Sequence, residues 1–417
     1  MGILEIINEF KSSCSCGRKH ETAVEDVRIA SGLVNQVGEI LKENRFSKNL
    51  LLVADKNTLK AAEGIVESLK DFSVEYKIYD DLRVATMEDV NSVEALIEGR
   101  DISVLSVGSG SINDTCRLSS ARQNKKLCIF ATAPSMDGFA SYSAPIVADG
   151  FKSSYSAKSP EVIIGDTKIL ANAPTALKSA GFGDMIAKYV GLVDWEISTL
   201  LTGEYYCEKI ASLTRSAVDE LMEMADKVTV NDEYTAGKIF EALLKTGIGM
   251  SFAQNSRPAS GSEHIIAHLI ECVELRDDVI PNFHGEDIGV CTLEMLKYYN
   301  ELANCDIDTT REEVDWDDVY SFYGNMEDDV RILNQPENII DSVDEKLLKE
   351  KWDEIKAIIR SVPSYDECKA AMVKAGCKIT VADIEKPQTL FDDCVKYSPY
   401  MRKRLTLLRM KDMIITK

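Results

Sequence analysis

The chain has 417 residues, of which 45% are apolar and 28% charged, and its formal net charge is −21. This length exceeds one ordinary hydrophobic core, and the composition is typical of a soluble globular protein, so two folded domains are expected. The acidity disfavours nucleic acid or an anionic membrane as a partner, and no apolar run is long enough to predict a membrane span.

Apolar runs alternate with amphipathic stretches in the first part of the chain. Strands are predicted at 49–55, 72–80, 102–108 and 127–134, with helical patterns between them, one of which opens near Ile112. A repeated strand–helix order predicts a mostly parallel sheet with helices on both faces. This part is therefore expected to be an α/β domain.

The pattern changes over residues 162–174, after which helical periodicity dominates. The segments 180–198, 236–253 and 262–274 all carry apolar residues at helical spacing. The sequence thus predicts two domains, an α/β domain over residues 1–168 and an all-α domain over residues 169–417.

A glycine-rich turn follows one of the predicted strands. In "VGSGSIND" (107–114), Gly108 and Gly110 stand between a strand and a helix. Glycine lets the backbone approach a ligand closely and helix N-terminal amides favour an anion, so the turn predicts a phosphate site. The third glycine of the common dinucleotide fingerprint is missing, and an ordinary strand–helix turn is the alternative.

A polar loop at 131–145 follows the next predicted strand. Its hydroxyl groups suit a ribose or a nicotinamide amide, with a solvated surface loop as the alternative. Asp55 ends an earlier strand at the same edge of the sheet. A carboxylate there accepts hydrogen bonds from ribose hydroxyls and repels a 2′-phosphate, which favours NAD over NADP.

Three of the four histidines, His264, His268 and His284, fall within 21 residues. His264 and His268 are one turn apart on an apolar helix, which Ser260 and Glu263 open in the spacing of a capping box. Asp184 is placed in the first turn of another buried helix, where a lone carboxylate needs a counter-charge or a metal. An aspartate with two histidines supplies the ligands of a catalytic divalent site, although spacing alone leaves open which histidines bind, and buried core histidines are the alternative.

Five segments in one order carry a family resemblance: "GSGSIND", "TAPSMDGFAS", "GFGDMIAKY", "SRPASGSEH" and "HGEDIGV". Together they resemble the glycerol-1-phosphate dehydrogenases, specifically the bacterial AraM-like branch, within a superfamily of iron-containing alcohol dehydrogenases, glycerol dehydrogenase and dehydroquinate synthase. The resemblance covers residues 14–300 and continues more faintly through 397–410. It implies a dehydroquinate synthase-like fold, in which a Rossmann-like domain and a helical domain enclose NAD (or NADP) and one divalent metal, nickel or zinc, in a homodimer.

The resemblance also implies roles for individual residues. The metal ligands fall on Asp184, His264 and His284. The catalytic and substrate-binding positions fall on Asp137, Asp184 and His268, and His268 is one turn from a ligand and so placed to relay a proton. The cofactor-binding positions are Asp55, Gly108, Gly110, Ser111, Ile112, Asn113, Asp114, Thr132 and Ser141.

The implied reaction is the reversible NAD(P)-dependent reduction of dihydroxyacetone phosphate to sn-glycerol 1-phosphate. Lys188, one turn after Asp184, and Arg257, just before the histidine helix, are candidate cations for the substrate phosphate, or else structural ion-pair partners. The alternatives are a glycerol or other polyol dehydrogenase, a dehydroquinate synthase-like enzyme and a non-catalytic NAD-binding protein. A small phosphorylated substrate is expected, with no nucleic-acid or membrane partner.

The eleven cysteines are an odd number without regular pairing, which predicts reduced thiols in a cytoplasmic protein. The N-terminus has no basic stretch before an apolar core, so no secretory signal is expected. The resemblance extends to "CSCGRKH" near the N-terminus, where Cys14, Cys16 and His20 form either a second metal site or no site at all.

Overall fold

The computed structural model describes residues 2–12 and 14–417, and within them it contains ten strands and nineteen α-helices. The strands are β1 (Asp26–Ala30), β2 (Asn49–Asp55), β3 (Ser73–Tyr79), β4 (Ser103–Gly108), β5 (Leu127–Ala131), β6 (Ser143–Ala148), β7 (Phe151–Ser156), β8 (Val162–Asp166), β9 (Ile307–Thr309) and β10 (Ile414–Thr416). The helices are α1 (Ile3–Ser12), α2 (Val37–Glu43), α3 (Lys56–Ala61), α4 (Ile65–Ser68), α5 (Met87–Ile97), α6 (Gly110–Arg122), α7 (Thr167–Ala171), α8 (Thr175–Ile186), α9 (Lys188–Thr202), α10 (Glu208–Met222), α11 (Glu233–Ala253), α12 (Ser262–Arg276), α13 (His284–Leu302), α14 (Trp316–Tyr323), α15 (Glu327–Asn334), α16 (Glu345–Glu350), α17 (Trp352–Ile359), α18 (Tyr365–Lys374) and α19 (Gln388–Tyr397).

Six parallel strands form the central sheet, in the order β1–β8–β5–β4–β2–β3. Residues 50–54 of β2 are fully buried, because helices cover both faces of the sheet and every position then favours an apolar side chain. The strand predictions at 49–55, 72–80, 102–108 and 127–134 are confirmed as β2, β3, β4 and β5. The edge strand β1 was not predicted, because it has only five residues and, being partly exposed, it does not form a continuous apolar run.

The order of the strands reverses between β2 and β4. From β2 the chain continues to β3 on one side, and from β4 it continues to β5 on the other side. Open α/β sheets bind ligands at such a switch point, beyond the carboxyl ends of the strands. The turn from β4 to α6 and the end of β2 therefore lie where a nucleotide is expected.

The second part of the chain is helical, apart from the short antiparallel pair of β9 with β10. Its apolar core surrounds α8, α12 and α13 and buries side chains such as Phe182, Ile266 and Leu293. The expected fold, a parallel sheet followed by a helical part, is confirmed. The predicted division after residue 168 falls within α7 and stays a prediction. Within the described ranges, no helix has the length and apolarity needed to cross a membrane.

The position predicted for Asp184 within its helix is wrong. The apolar pattern over 180–198 is divided between two helices, and Asp184 lies in the last turn of α8, not in a first turn. The reason is that α8 begins directly after Pro174, and the segment "TALKSA" extends it toward the N-terminus. Asp184 is consequently one turn before Lys188, which begins α9.

Glycines hold α8 and α13 in close backbone contact. A Cβ atom built on Gly285 would overlap the carbonyl oxygen of Ala180, and one built on Gly183 would lie 2.6 Å from the carbonyl oxygen of Gly285. Only glycine fits where two backbones approach this closely. The contact brings the last turn of α8, with Asp184, beside the first residue of α13, His284.

Alanine at Gly285 is expected to lower the free energy of unfolding by about 3 kcal/mol, because the added methyl group forces two helix backbones apart. The same displacement should reduce the metal retained by the purified protein. Urea unfolding and elemental analysis measure the two effects. Gly249→Ala in α11 is the matched control, since a Cβ there meets its nearest atom at 3.4 Å. Equal stability of the two variants would contradict the close-contact account.

Candidate metal centre and nucleotide cleft

Asp184, His264 and His284, the predicted metal ligands, converge in the structure, and we call them the ligand triad. Their candidate ligand atoms all lie within 4.8 Å of one another. Asp184 Oδ1 is 3.4 Å from His264 Nε2, and the rings of His264 and His284 are 5.6 Å apart between centroids. Three helices, α8, α12 and α13, each supply one member. One carboxylate and two imidazoles at this separation suit a divalent cation.

Each imidazole of the ligand triad is oriented by a carboxylate. His264 Nδ1 lies 2.6 Å from Glu263 Oε1, and His284 Nδ1 lies 3.1 Å from Glu271 Oε1. A carboxylate that accepts the Nδ1 hydrogen leaves the Nε2 lone pair for a metal. Both glutamates are buried, and this role was not predicted from the sequence.

The predicted capping box at the start of α12 is wrong. The helix is preceded by Gly261, whose backbone N–H donates to Glu263 Oε1 at 2.9 Å. Ser260 Oγ instead accepts a hydrogen bond of 2.8 Å from Arg404. Glu263 Oε1 therefore contacts both the backbone N–H that precedes α12 and the Nδ1 atom of His264. It orients the histidine and is not part of a capping box with Ser260.

A buried charge cluster lies beneath the ligand triad. Lys188 Nζ is 2.8 Å from Asp184 Oδ1 and 2.6 Å from Asp137 Oδ2, and the backbone N–H of Asp137 donates to Asp184 Oδ2 at 2.9 Å. Burial opposes ionisation of Asp184, but Lys188 and His264 hold its pKa below the usual range. Burial and the neighbouring Asp184 raise the pKa of Asp137. Burial disfavours the charged lysine, yet the two acids raise the pKa of Lys188.

The charge of Lys188 is thus already matched by two carboxylates. Lys188 is fully buried and, unlike Lys152, does not line the cleft. Arg257 does not line it either, because its guanidinium donates to Glu204, Ser198 and the Leu405 carbonyl oxygen. Both residues are thus ion-pair partners in this structure, which was the alternative, and the prediction that they bind the substrate phosphate stays a prediction.

A cleft of about 490 Å³ extends from the ligand triad to the carboxyl ends of β2 and β4. The predicted site residues on its wall are Asp55, Gly110, Ser111, Asp114, Asp137, Ser141, His264, His268 and His284. The structure therefore brings the predicted nucleotide positions and the histidines to a single cavity. Four other predicted cofactor positions are buried behind the wall and do not line it: Gly108, Ile112, Asn113 and Thr132.

The start of α6 is suited to a phosphate. Gly110 begins the helix directly after β4, and the turn is part of the cleft wall. A Cβ on Gly110 would meet the Met136 side chain at 3.3 Å, and the free N–H groups of a helix start attract an anion. At the end of β2, Asp55 caps α3 by accepting a 2.7 Å bond from the Thr58 N–H. Its carboxylate is thereby fixed at the edge of the cleft.

His268 lies between the ligand triad and the substrate side of the cleft. Its ring stacks on that of His284, with 5.3 Å between centroids. Burial, together with the positive charge of Lys152, holds the pKa of His268 well below its ordinary value. The imidazole is therefore uncharged in this structure.

Among the described residues that line the cleft, the cations are Lys152 and Arg83. Lys152 is in β7, which pairs with β6 in an antiparallel hairpin, and its ammonium contacts Glu271 Oε2 at 2.5 Å. Arg83 packs over the Phe283 ring at 4.4 Å and donates to the Pro281 carbonyl oxygen. Neither was predicted, since the hairpin itself was not recognised and both residues are distant in sequence from the histidines.

The chain is similar in sequence to known proteins. The model of a family described as iron-containing alcohol dehydrogenase matches residues 28–174. A glycerol-1-phosphate dehydrogenase (NAD(P)+) of Halalkalibacterium halodurans is 29% identical over 414 residues, covering 97% of this chain and 97% of the relative. One from Methanosarcina mazei is 34% identical over 275 residues, covering 65% of this chain and 75% of the relative.

The fold is also found in solved structures. The crystal structure of maleylacetate reductase from Agrobacterium tumefaciens superposes with a TM-score of 0.63 at 12% identity, covering 94% of this chain and 95% of that one. At such low identity the likeness concerns the fold alone. The close relatives decide the family, and the chain belongs to the glycerol-1-phosphate dehydrogenases.

Proposed function

We propose that this protein is an NAD(P)-dependent sn-glycerol-1-phosphate dehydrogenase, which reversibly reduces dihydroxyacetone phosphate with the help of one divalent metal. The observation that carries the proposal is the position of the ligand triad at one end of a cleft whose other end is the start of α6. The substrate class is supported by the names of the relatives, and Lys152 and Arg83 supply positive charge in the cleft of an otherwise acidic protein.

The ligand triad fits a metal by an observation independent of the family. Asp184 is a fully buried carboxylate, His264 Nε2 lies 3.4 Å from its Oδ1, and glutamates occupy the Nδ1 atoms of both imidazoles. When bound, the metal polarises the substrate carbonyl as a Lewis acid, and the nicotinamide supplies the hydride. Nickel and zinc both accept imidazole and carboxylate ligands, so the choice between them has to be measured.

The protein's own side chains position the substrate and move the proton. His268 lines the cleft one helical turn after His264, and it is the residue that we assign to accept the hydroxyl proton when the alcohol is oxidised and to return it when the ketone is reduced. Asp137 lines the cleft and is held against Lys188, where it can bind a substrate hydroxyl. Lys152 and Arg83 bind the phosphate, and Asp55 binds the ribose, which favours NAD.

The function is tested by NADH oxidation on metal-stripped protein refilled separately with nickel and with zinc. We expect dihydroxyacetone phosphate to be reduced with at least one metal, and chiral analysis to identify sn-glycerol 1-phosphate. Dihydroxyacetone without its phosphate should be a poor substrate. A preference for dihydroxyacetone would favour a polyol dehydrogenase, and no turnover with either metal would refute the proposal.

Alanine at His264 should abolish turnover and lower the metal content, because a ligand is lost. Alanine at His268 should reduce turnover while the metal remains. Elemental analysis of both purified variants, after circular dichroism has shown that they are folded, separates the two roles. Equal metal retention in the two variants would show that the ligand assignment is incorrect.

The role of Lys152 is tested by Lys152→Met. We expect KM for dihydroxyacetone phosphate to rise at least about tenfold, which corresponds to about 1.4 kcal/mol of lost binding. The kinetics with unphosphorylated dihydroxyacetone should change much less, since that substrate has no anion to bind. Lys238→Met is the matched control, because Lys238 is also paired with glutamates but lies outside the cleft. The same loss with both substrates would show that Lys152 acts through Glu271 and not through the phosphate.

A further inference from the structure

A second group of ligand-type side chains lies apart from the ligand triad. Cys14, Cys16 and His20 come from the segment after α1, and Cys207 directly precedes α10. The candidate ligand atoms of these four residues, here called the cysteine–histidine cluster, all lie within 4.8 Å of one another. The sequence motif contains only three of the four residues, because Cys207 is 187 residues beyond His20.

The separations match the edges of a tetrahedron. The Cys14 and Cys207 sulfurs are 3.5 Å apart, and His20 Nε2 is 3.3 Å from the Cys16 sulfur and 3.8 Å from the Cys207 sulfur. Zinc–sulfur bonds of about 2.3 Å and zinc–nitrogen bonds of about 2.0–2.1 Å place the ligand atoms of a tetrahedral site about 3.5–3.8 Å apart. These three separations are close to the tetrahedral values, and all six are below 4.8 Å. The Cys14 and Cys207 sulfurs are well beyond the roughly 2.05 Å of a disulfide bond.

The histidine of the cluster is oriented like a metal ligand. His20 is fully buried, and its Nδ1 is 3.1 Å from the Phe252 carbonyl oxygen. A carbonyl oxygen can only accept, so Nδ1 carries the hydrogen and the Nε2 lone pair faces the sulfurs. The Tyr205 hydroxyl lies 3.5 Å from the Cys16 sulfur, and the Arg18 guanidinium stacks over the Tyr205 ring at 3.4 Å. A cation thus lies over the ring of the residue whose hydroxyl contacts Cys16.

We propose that Cys14, Cys16, His20 and Cys207 bind a structural zinc ion, distinct from the catalytic metal. The donor set of three sulfurs and one imidazole leaves no open position, which is the property of a structural site. Binding of Zn²⁺ releases the three thiol protons and leaves the site with a net charge of −1, which Arg18 partly offsets. Nickel and cobalt fit the same donors, and thiolate ligands select zinc over magnesium or calcium.

The site fastens the N-terminal segment to the helical part. Cys207 is at the start of α10, and Phe252, which accepts from His20 and stacks on Phe10 of α1 at 4.6 Å, is near the end of α11. The chain then leads from α11 into α12, which carries His264. Loss of the ion should therefore release α1 and residues 14–20 before it disturbs the ligand triad.

Cobalt substitution tests the proposal without a need for enzyme activity. The ligand triad offers only oxygen and nitrogen, so a thiolate-to-cobalt charge-transfer band reports on the cysteine–histidine cluster alone. Under reducing conditions we expect the wild-type protein to show this band and to bind two equivalents of metal. Cys16→Ser and Cys207→Ser should lose the band and one equivalent, while His264→Ala should keep the band and lose the other equivalent.

Cys305→Ser is the matched control, since Cys305 is a partly buried free cysteine outside the cluster. It should keep the band and both equivalents. The cluster variants should also show faster proteolysis within the first 20 residues, which a substitution without metal loss would not produce. Absence of the band from the wild-type protein would overturn the proposal even if a variant fails to fold, as would its persistence in both cluster variants.

Discussion

Burial of the Asp184 carboxylate is the constraint on which the rest of the site depends. A carboxylate with no exposed surface is costly unless charges and donors surround it. Here the ammonium of Lys188, the backbone N–H of Asp137 and the ring of His264 serve that purpose. These partners lie on different elements, so the compensation of a single charge determines how α8, α9, α12 and the loop after β5 are arranged.

The contact between glycines of α8 and α13 completes this arrangement. Without it, His284 would lie too far from Asp184 for both to bind one ion. The carboxylates of Glu263 and Glu271 then select which nitrogen of each ring faces the site. The helical part thus provides a rigid set of donors, while the sheet provides the switch point for the nucleotide. A fold alone does not determine a reaction, which depends on the residues of the site.

Local periodicity predicted the buried strands, and the scarcity of histidine drew attention to the metal-ligand candidates. The buried strands β2, β4 and β5 are continuous apolar runs, and three histidines so close together in a chain with only four are an unusual feature. Sequence patterns did not predict contacts between residues that are far apart in the chain. Glu263 directly precedes the histidine that it orients, so an available signal was missed there, whereas Glu271 is 13 residues before His284 and on another helix.

Lys152 and Cys207 had no comparable signal. Each reaches its partners from a segment more than 100 residues away, through a hairpin or a helix start that the pattern did not show. Conversely, Lys188 and Arg257 were selected for their closeness in sequence to the ligands, and in the structure Lys188 pairs with the buried Asp137 and Asp184 while Arg257 pairs with the partly exposed Glu204.

The hairpin of β6 and β7 has a mechanical consequence. The hairpin follows a strand of the sheet in the chain, but its Lys152 contacts the helical part. Lys152 contacts Glu271 and Cys272 of α12, and its carbonyl oxygen accepts a hydrogen bond from Arg402 near the C-terminus. These hydrogen bonds connect the hairpin on one wall of the cavity to α12 on the other. If the walls separate to admit a dinucleotide, these contacts of Lys152 must either break or stay in place while the walls rotate about them. In the second case the hairpin is the axis of the rotation.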